Sequence, residues 1–103
     1  SEVESALESL PGIREALVVG MPDEKWGQIV TALLVSDTDP HPQSDAIVCG
    51  LAARLARWKS PRRIAWVSSL PFTSAGKRSR NPEVLRDLEF DVLHYRHSTE
   101  APL

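Results

Sequence analysis

The sequence predicts an α+β domain, a small three-stranded sheet with helices packed on it. Three observations predict it. Short apolar runs at 16–20, 29–35 and 63–67 have strand composition and strand length. Between and around them, apolar residues recur at helical spacing at 3–10, 47–58 and 84–88. The 103 residues, 42% hydrophobic and 25% charged, are enough for one small core and no more.

The elements follow in order. Ser1 and Glu4 have the spacing of a capping box, and Val3, Ala6, Leu7 and Leu10 supply an apolar stripe behind it. Pro11 and Gly12 end that helix. Residues 16–20 (ALVVG) form the first strand, Met21-Pro22-Asp23 turn the chain, and 29–35 (IVTALLV) form the second strand. Two prolines and two aspartates in 36–43 make a polar loop. Ser44 then caps a helix over 45–58, with Ile47, Val48, Leu51, Leu55 and Trp58 on its apolar face and Cys49 a small core residue inside it. Pro61 breaks the helix, and 63–67 (RIAWV) give the third strand with Ile64 and Trp66 on one face. Asn81-Pro82 start a last helix carrying Val84, Leu85 and Leu88. The domain is expected over 1–90, and 91–103, which lack a pattern, are expected to fray.

Composition narrows the function classes. Twelve Lys and Arg against fourteen Asp and Glu give a net charge of −2, which argues against a nucleic-acid partner despite the short basic runs at 62–63 and 77–80. No apolar run approaches the roughly 20 residues of a membrane span, and no signal peptide is legible. A single cysteine forms no internal disulfide, which fits the cytoplasm. His94 and His97 have ligand spacing but no third group beside them in sequence, so no metal site is predicted.

The sharpest local feature is TSAGK at 73–77. A Walker loop would need glycine where Pro71 stands and a hydroxyl residue where Arg78 stands, so it is excluded. A glycine before an exposed lysine still delivers a compact positive charge on a long stem, able to reach into a neighbouring site. Taken alone, the same residues are better described as a solvated surface loop.

Four segments in series resemble one family. They are Glu2-Val3-Glu4 with Leu10-Pro11-Gly12; Val18 through Glu24 with Trp26-Gly27-Gln28; Trp58-Lys59-Ser60-Pro61; and Leu70-Pro71 through Gly76-Lys77 and Arg80. Together they are similar to the carboxy-terminal domain of adenylate-forming enzymes, the AMP-binding superfamily of acyl- and aryl-CoA synthetases, adenylation domains and luciferases. The resemblance implies a mobile lid beside a large amino-terminal adenylation domain, in the same chain or split from it. It implies ATP with Mg, bound mainly by that large domain, together with coenzyme A and a carboxylic acid substrate. Lys77 falls on the family's adenylation lysine, and Gly76 on the glycine that lets its loop approach closely. Trp26 and Trp58 fall where aromatic side chains of some relatives stack on the CoA adenine, and Lys59 lies beside that site. Ser60 departs from the basic residue some relatives carry there, leaving Lys59, Arg62 and Arg63 as substitutes. For Trp58, packing in the core is the competing reading.

The hinge and ATP-binding motifs of the family are not among these residues, so the chain alone is expected to be inactive. Two other readings stay open: the lid of a carrier-protein-directed adenylation domain, and a docking module without catalysis.

Overall fold

The computed structural model describes residues 1–25 and 27–95. Helix α1 (Glu2–Glu8) leads into β1 (Ile13–Asp23) and β2 (Gly27–Ser36); α2 (Ser44–Ala52), β3 (Arg63–Trp66) and β4 (Asp91–Val92) follow. The sheet order is β1-β2-β3-β4. β1 and β2 are an antiparallel pair, β3 runs parallel to β2, and β4 runs antiparallel to β3. The parallel step requires a crossover, and α2 supplies it.

Both faces of the sheet are covered. Ala16, Ala32, Leu34 and Ile64 point to the helices, where Leu7, Leu10, Ile47, Leu51 and Leu93 complete one cluster. Leu17, Val19, Leu33, Val35 and Ala65 point the other way, onto Leu70 and Leu85 with Val84, Leu88 and Phe90 around them. This is why Thr31–Val35 is buried without alternation: successive side chains enter opposite cores.

The capping box forms as expected, with Ser1 Oγ accepting from the Glu4 amide. Gly12 adopts φ +87°, and an added Cβ there would meet Pro42 Cγ at 2.6 Å, so the turn into β1 needs glycine on two counts. β1 and β2 are longer than expected. Met21-Pro22-Asp23 do not turn the chain but pair with Gly27-Gln28-Ile29. Proline is tolerated there because β1 is the sheet's edge.

Several further expectations need correction. The helix expected over 45–58 ends at Ala52, and its amino-terminal cap is Gln43, with Ser44 the first helical residue. Arg54 Nη1 donates to the Gly50 carbonyl at 2.9 Å, satisfying a terminal acceptor. Ala56 is extended, and a separate 3₁₀ turn, Arg57–Lys59, follows. That break rotates Trp58 off the apolar face, so the packing reading of Trp58 fails. Cys49 is exposed, because Ile47 and Leu51 at i and i+4 own the buried face and Cys49 lies between them on the outside.

The sheet has a fourth strand, from the segment expected to fray. Asp91–Val92 pair with β3, the Leu93 amide donates to the Arg62 carbonyl at 2.8 Å, and Tyr95 Oη donates to the Pro61 carbonyl at 2.7 Å. Burial pushes the Tyr95 phenol up to about 12. A two-residue strand leaves no periodicity for a sequence reading to find. The last helix is a single 3₁₀ turn, Pro82–Leu85, with Asn81 as its cap.

Candidate functional site

The GK segment is a hairpin. Thr73 N–H donates to the Lys77 carbonyl at 2.6 Å, and Gly76 N–H to the Thr73 carbonyl at 2.9 Å. The loop is thus three residues long, and its last position, Gly76, has φ +83°. This is the geometry in which a left-handed residue closes a three-residue hairpin, and it explains glycine before the lysine. Phe72 pairs with Arg78 below the loop. Every residue from Phe72 to Arg78 is exposed. Among the described residues no carboxylate lies within ion-pair distance of Lys77. Lys77 is thus exposed, with no acidic partner among the described residues.

Side chains from the second limb fasten the hairpin to β1. On the outer edge of β1, the amides of Ala16 and Val18 donate to Glu8 Oε2 at 3.0 Å and Glu4 Oε2 at 2.8 Å. The carbonyls of the same two residues accept from Arg78 at 3.5 Å and Arg80 at 3.1 Å. Arg80 also pairs with both oxygens of Glu4, and Arg78 reaches Glu15 at 3.4 Å and Glu8 at 3.9 Å. Four charged side chains thus stand in for a neighbouring strand and close the sheet edge. The repeats match. Four residues of helix rise about 6 Å, and two residues of strand about 6.6 Å. Glu4 and Glu8 therefore meet Val18 and Ala16 in register.

Glu4 is only 5% exposed. Burial alone would raise its carboxyl, but hydrogen bonds from Arg80 and Val18 and the Arg80 charge outweigh that and lower it from 4.5 to about 2.

The second candidate region is the 3₁₀ turn after α2. Trp58 is 82% exposed, and Lys59 Nζ lies 5.1 Å from its ring centroid. Lys59 Nζ also bonds Glu2 Oε1 at 2.8 Å. Ser60 is buried, its hydroxyl directed at the Ala56 carbonyl at 3.4 Å, so the departure at Ser60 lies inside the fold. Arg63 does not substitute for a basic residue there. Its guanidinium bonds Thr31 Oγ1 at 2.8 Å and Met21 Sδ at 2.7 Å and covers the Phe90 ring at 4.0 Å. Trp26 and His97 lie outside the described residues.

Helix α1 sets the two regions apart. Glu2 holds Lys59 beside Trp58, Glu4 holds Arg80, and Glu8 faces Arg78. From Glu2 to Glu8 the helix rises about 9 Å. The hairpin runs from Arg80 past Arg78 toward Lys77, away from the Trp58 end. The structure therefore brings Lys59 and Trp58 together, and Gly76 and Lys77 together, but separates the two pairs. The sequence reading takes Glu4 as part of a capping box, Arg78 as part of a basic run and Arg80 as a motif residue, and it assigns Glu8 nothing. The signal that could have joined them is the i, i+4 acid pair set against the i, i+2 arginine pair.

Comparison with known proteins bears on this geometry. The family described as the AMP-binding enzyme C-terminal domain matches residues 2–77. A long-chain-fatty-acid–CoA ligase of Mycobacterium tuberculosis is 37% identical over 78 residues, 75% of this chain and 15% of that protein. A fatty acid–[acyl-carrier-protein] ligase of Streptomyces coeruleorubidus is 39% identical over 87 residues, 84% of this chain and 16% of that protein. A solved o-succinylbenzoate CoA synthetase from Bacillus subtilis, a double mutant bound with its product analogue, superposes with TM-score 0.73 at 33% identity. The match covers 90% of this chain and 18% of that one. The chain thus spans less than a fifth of the length of these relatives.

Proposed function

The chain belongs to the family of AMP-binding enzyme C-terminal domains, and we propose that it is the lid of an ATP-dependent acyl- or aryl-CoA ligase. One observation carries the reading: an exposed lysine on a glycine-closed hairpin lies toward one end of α1, and an exposed tryptophan–lysine pair lies at the other. A lid that serves two half-reactions in turn needs two such working ends.

In the first half-reaction a carboxylate attacks the α-phosphorus of ATP, giving an acyl-adenylate and releasing pyrophosphate. Lys77 enters between two anions and offsets the charge that builds there. In the second, a thiol displaces AMP. The open face of Trp58 suits stacking on an adenine ring, and Lys59 beside it suits a phosphate, provided it releases Glu2. The same reading assigns Trp26 to the CoA side. ATP and Mg are assigned mainly to a large amino-terminal domain, and the acid pocket with them. No helix among the described residues is long and apolar enough to cross a membrane, and the reading locates the enzyme in the cytoplasm. The lid unit is taken to run through Tyr95, past the expected boundary at 90, because Leu93 and Tyr95 bond the body of the domain.

The test uses the ligase assembled with this domain, with palmitate and 2-succinylbenzoate as trial acids because relatives act on such acids by name. Lys77→Ala should lower ATP–pyrophosphate exchange by about 10²–10³-fold, while thioester formation from supplied acyl-adenylate is spared. Equal loss of both half-reactions would remove Lys77 from the adenylation role.

A second reading, a lid that serves a carrier protein, is favoured by the Streptomyces relative. Titration of the complete enzyme with coenzyme A separates the two. Quenching of tryptophan fluorescence that disappears in Trp58→Phe supports free CoA. Unchanged fluorescence supports the carrier.

A further inference from the structure

Lys77 stands on a hairpin that makes almost no apolar contact with the domain. Phe72 is 60% exposed, and a Cβ at Gly76 would meet nothing within 4 Å. Leu70, buried at the base of the first limb, is one attachment. The second limb is attached by charge: Arg78 and Arg80 lie on the same side of an extended segment and reach β1. Lys77, next to Arg78 at the closing pair of the hairpin, is exposed. Only two residues separate Lys77 from Arg80, so the direction of the lysine stem follows from how firmly Arg80 is seated.

Arg80 is seated by three bonds, two to the Glu4 carboxylate and one to the Val18 carbonyl. Its own side chain is half exposed, so its loss opens no cavity. Glu4 keeps the Val18 amide and the Ser1 amine without it. Arg80 is therefore poorly placed to be a core-stability residue and well placed to fix the angle of the hairpin.

We propose that Arg80, gripped by Glu4 on the edge of β1, is a positioning residue for Lys77, aiming its ammonium at the adenylation site. The inference rests on the Lys77 reading above and adds to it a residue that touches no substrate. Misplacement of a reacting group by about 1 Å costs on the order of 10²-fold in rate. Arg80→Gln should therefore slow adenylation by about 10–100-fold and leave thioester formation from supplied acyl-adenylate within about twofold. Because Arg80 acts through Lys77, the double variant Lys77→Ala/Arg80→Gln should be no slower than Lys77→Ala alone.

The experiment measures both half-reactions of the assembled ligase for the two single variants and the double. It also follows amide hydrogen exchange of the chain at Gly76 and Lys77 and at Leu17 and Leu33. Support is a selective loss of adenylation, a non-multiplicative double variant, and faster exchange confined to the hairpin. The inference is overturned if Arg80→Gln slows both half-reactions alike, if the two losses multiply, or if the core amides accelerate as much as the hairpin's. These failures are distinct from failure of the Lys77 reading. There, Lys77→Ala itself would spare adenylation or impair both half-reactions alike, whatever Arg80→Gln does.

Discussion

The GK hairpin and the Trp58 turn are both exposed, and they are held by opposite means. The backbone of the Trp58 turn is held locally, and only its side chains reach far, Lys59 to Glu2. Lys59 N–H donates to the Ala56 carbonyl at 2.9 Å and Ser60 N–H to the Arg57 carbonyl at 3.0 Å, and buried Leu55 and Ser60 flank it. The hairpin depends on partners 62 to 76 residues distant in sequence, reached through guanidinium groups. A turn held by its own backbone keeps its shape wherever the chain folds. The hairpin closes its own turn by backbone bonds, but its seat on the domain holds only while Arg78 and Arg80 stay paired with distant carboxylates. Exposure alone therefore says little about how a functional group is aimed.

The comparison is broken most strongly at Glu4. Its carboxyl is depressed in the folded state, so its contribution is full above about pH 4.5 and disappears as pH falls toward about 2. With half-exposed Arg80 discounted for screening, Glu4→Gln should cost about 2–3 kcal/mol at neutral pH. Urea unfolding checks this. The gap between the two proteins should close by about pH 2, and a gap independent of pH would refute the pairing with Arg80 as its source.

Trp58→Ala acts on the other region and should separate function from folding. Removing a side chain this exposed leaves stability within about 0.5 kcal/mol. Loss of stacking on adenine should weaken coenzyme A by roughly 2 kcal/mol. Calorimetric titration of the assembled ligase, beside a melting curve, reads both. Lower stability with unchanged CoA affinity would return Trp58 to a packing role.

Gly76→Ala is the smallest of the three. Space is open around it, so the cost is the positive φ alone, about 1 kcal/mol. It should appear as faster exchange of the Gly76-position and Lys77 amides and a modest loss of adenylation, with the Trp58 end untouched. An effect on CoA binding would mean that the two ends are coupled.

Much of the fold was legible in the residues. The capping box, the buried run of β2, the short β3 and the Asn81-Pro82 start each depend on chemistry within a few positions. The misreadings share a cause. The spacing Ile47, Val48, Leu51, Leu55, Trp58 continues a helical period past Ala52, yet extended Ala56 ends it. A two-residue β4 has no period, and its strand state comes from the open edge of β3. For the candidate site, the motifs singled out Lys77, Gly76, Trp26, Trp58 and Lys59 as candidates. They did not show that Arg78 and Arg80 bind α1 and β1, because nothing near 78–80 in sequence announces Glu4 or Glu8.

By itself the sequence determined which groups the chain offers: a lysine after a glycine, a tryptophan beside a lysine, and a membership written in four ordered segments. Tertiary structure alone decided where they point. It put Trp58 in solvent, buried Ser60, committed Arg63 to Thr31, Met21 and Phe90, and clamped the lysine's hairpin through Arg80. The physical reason is range. Caps, turns and propensities act over a few residues, whereas an edge strand and two arginines find their carboxylates only once helix and sheet have packed.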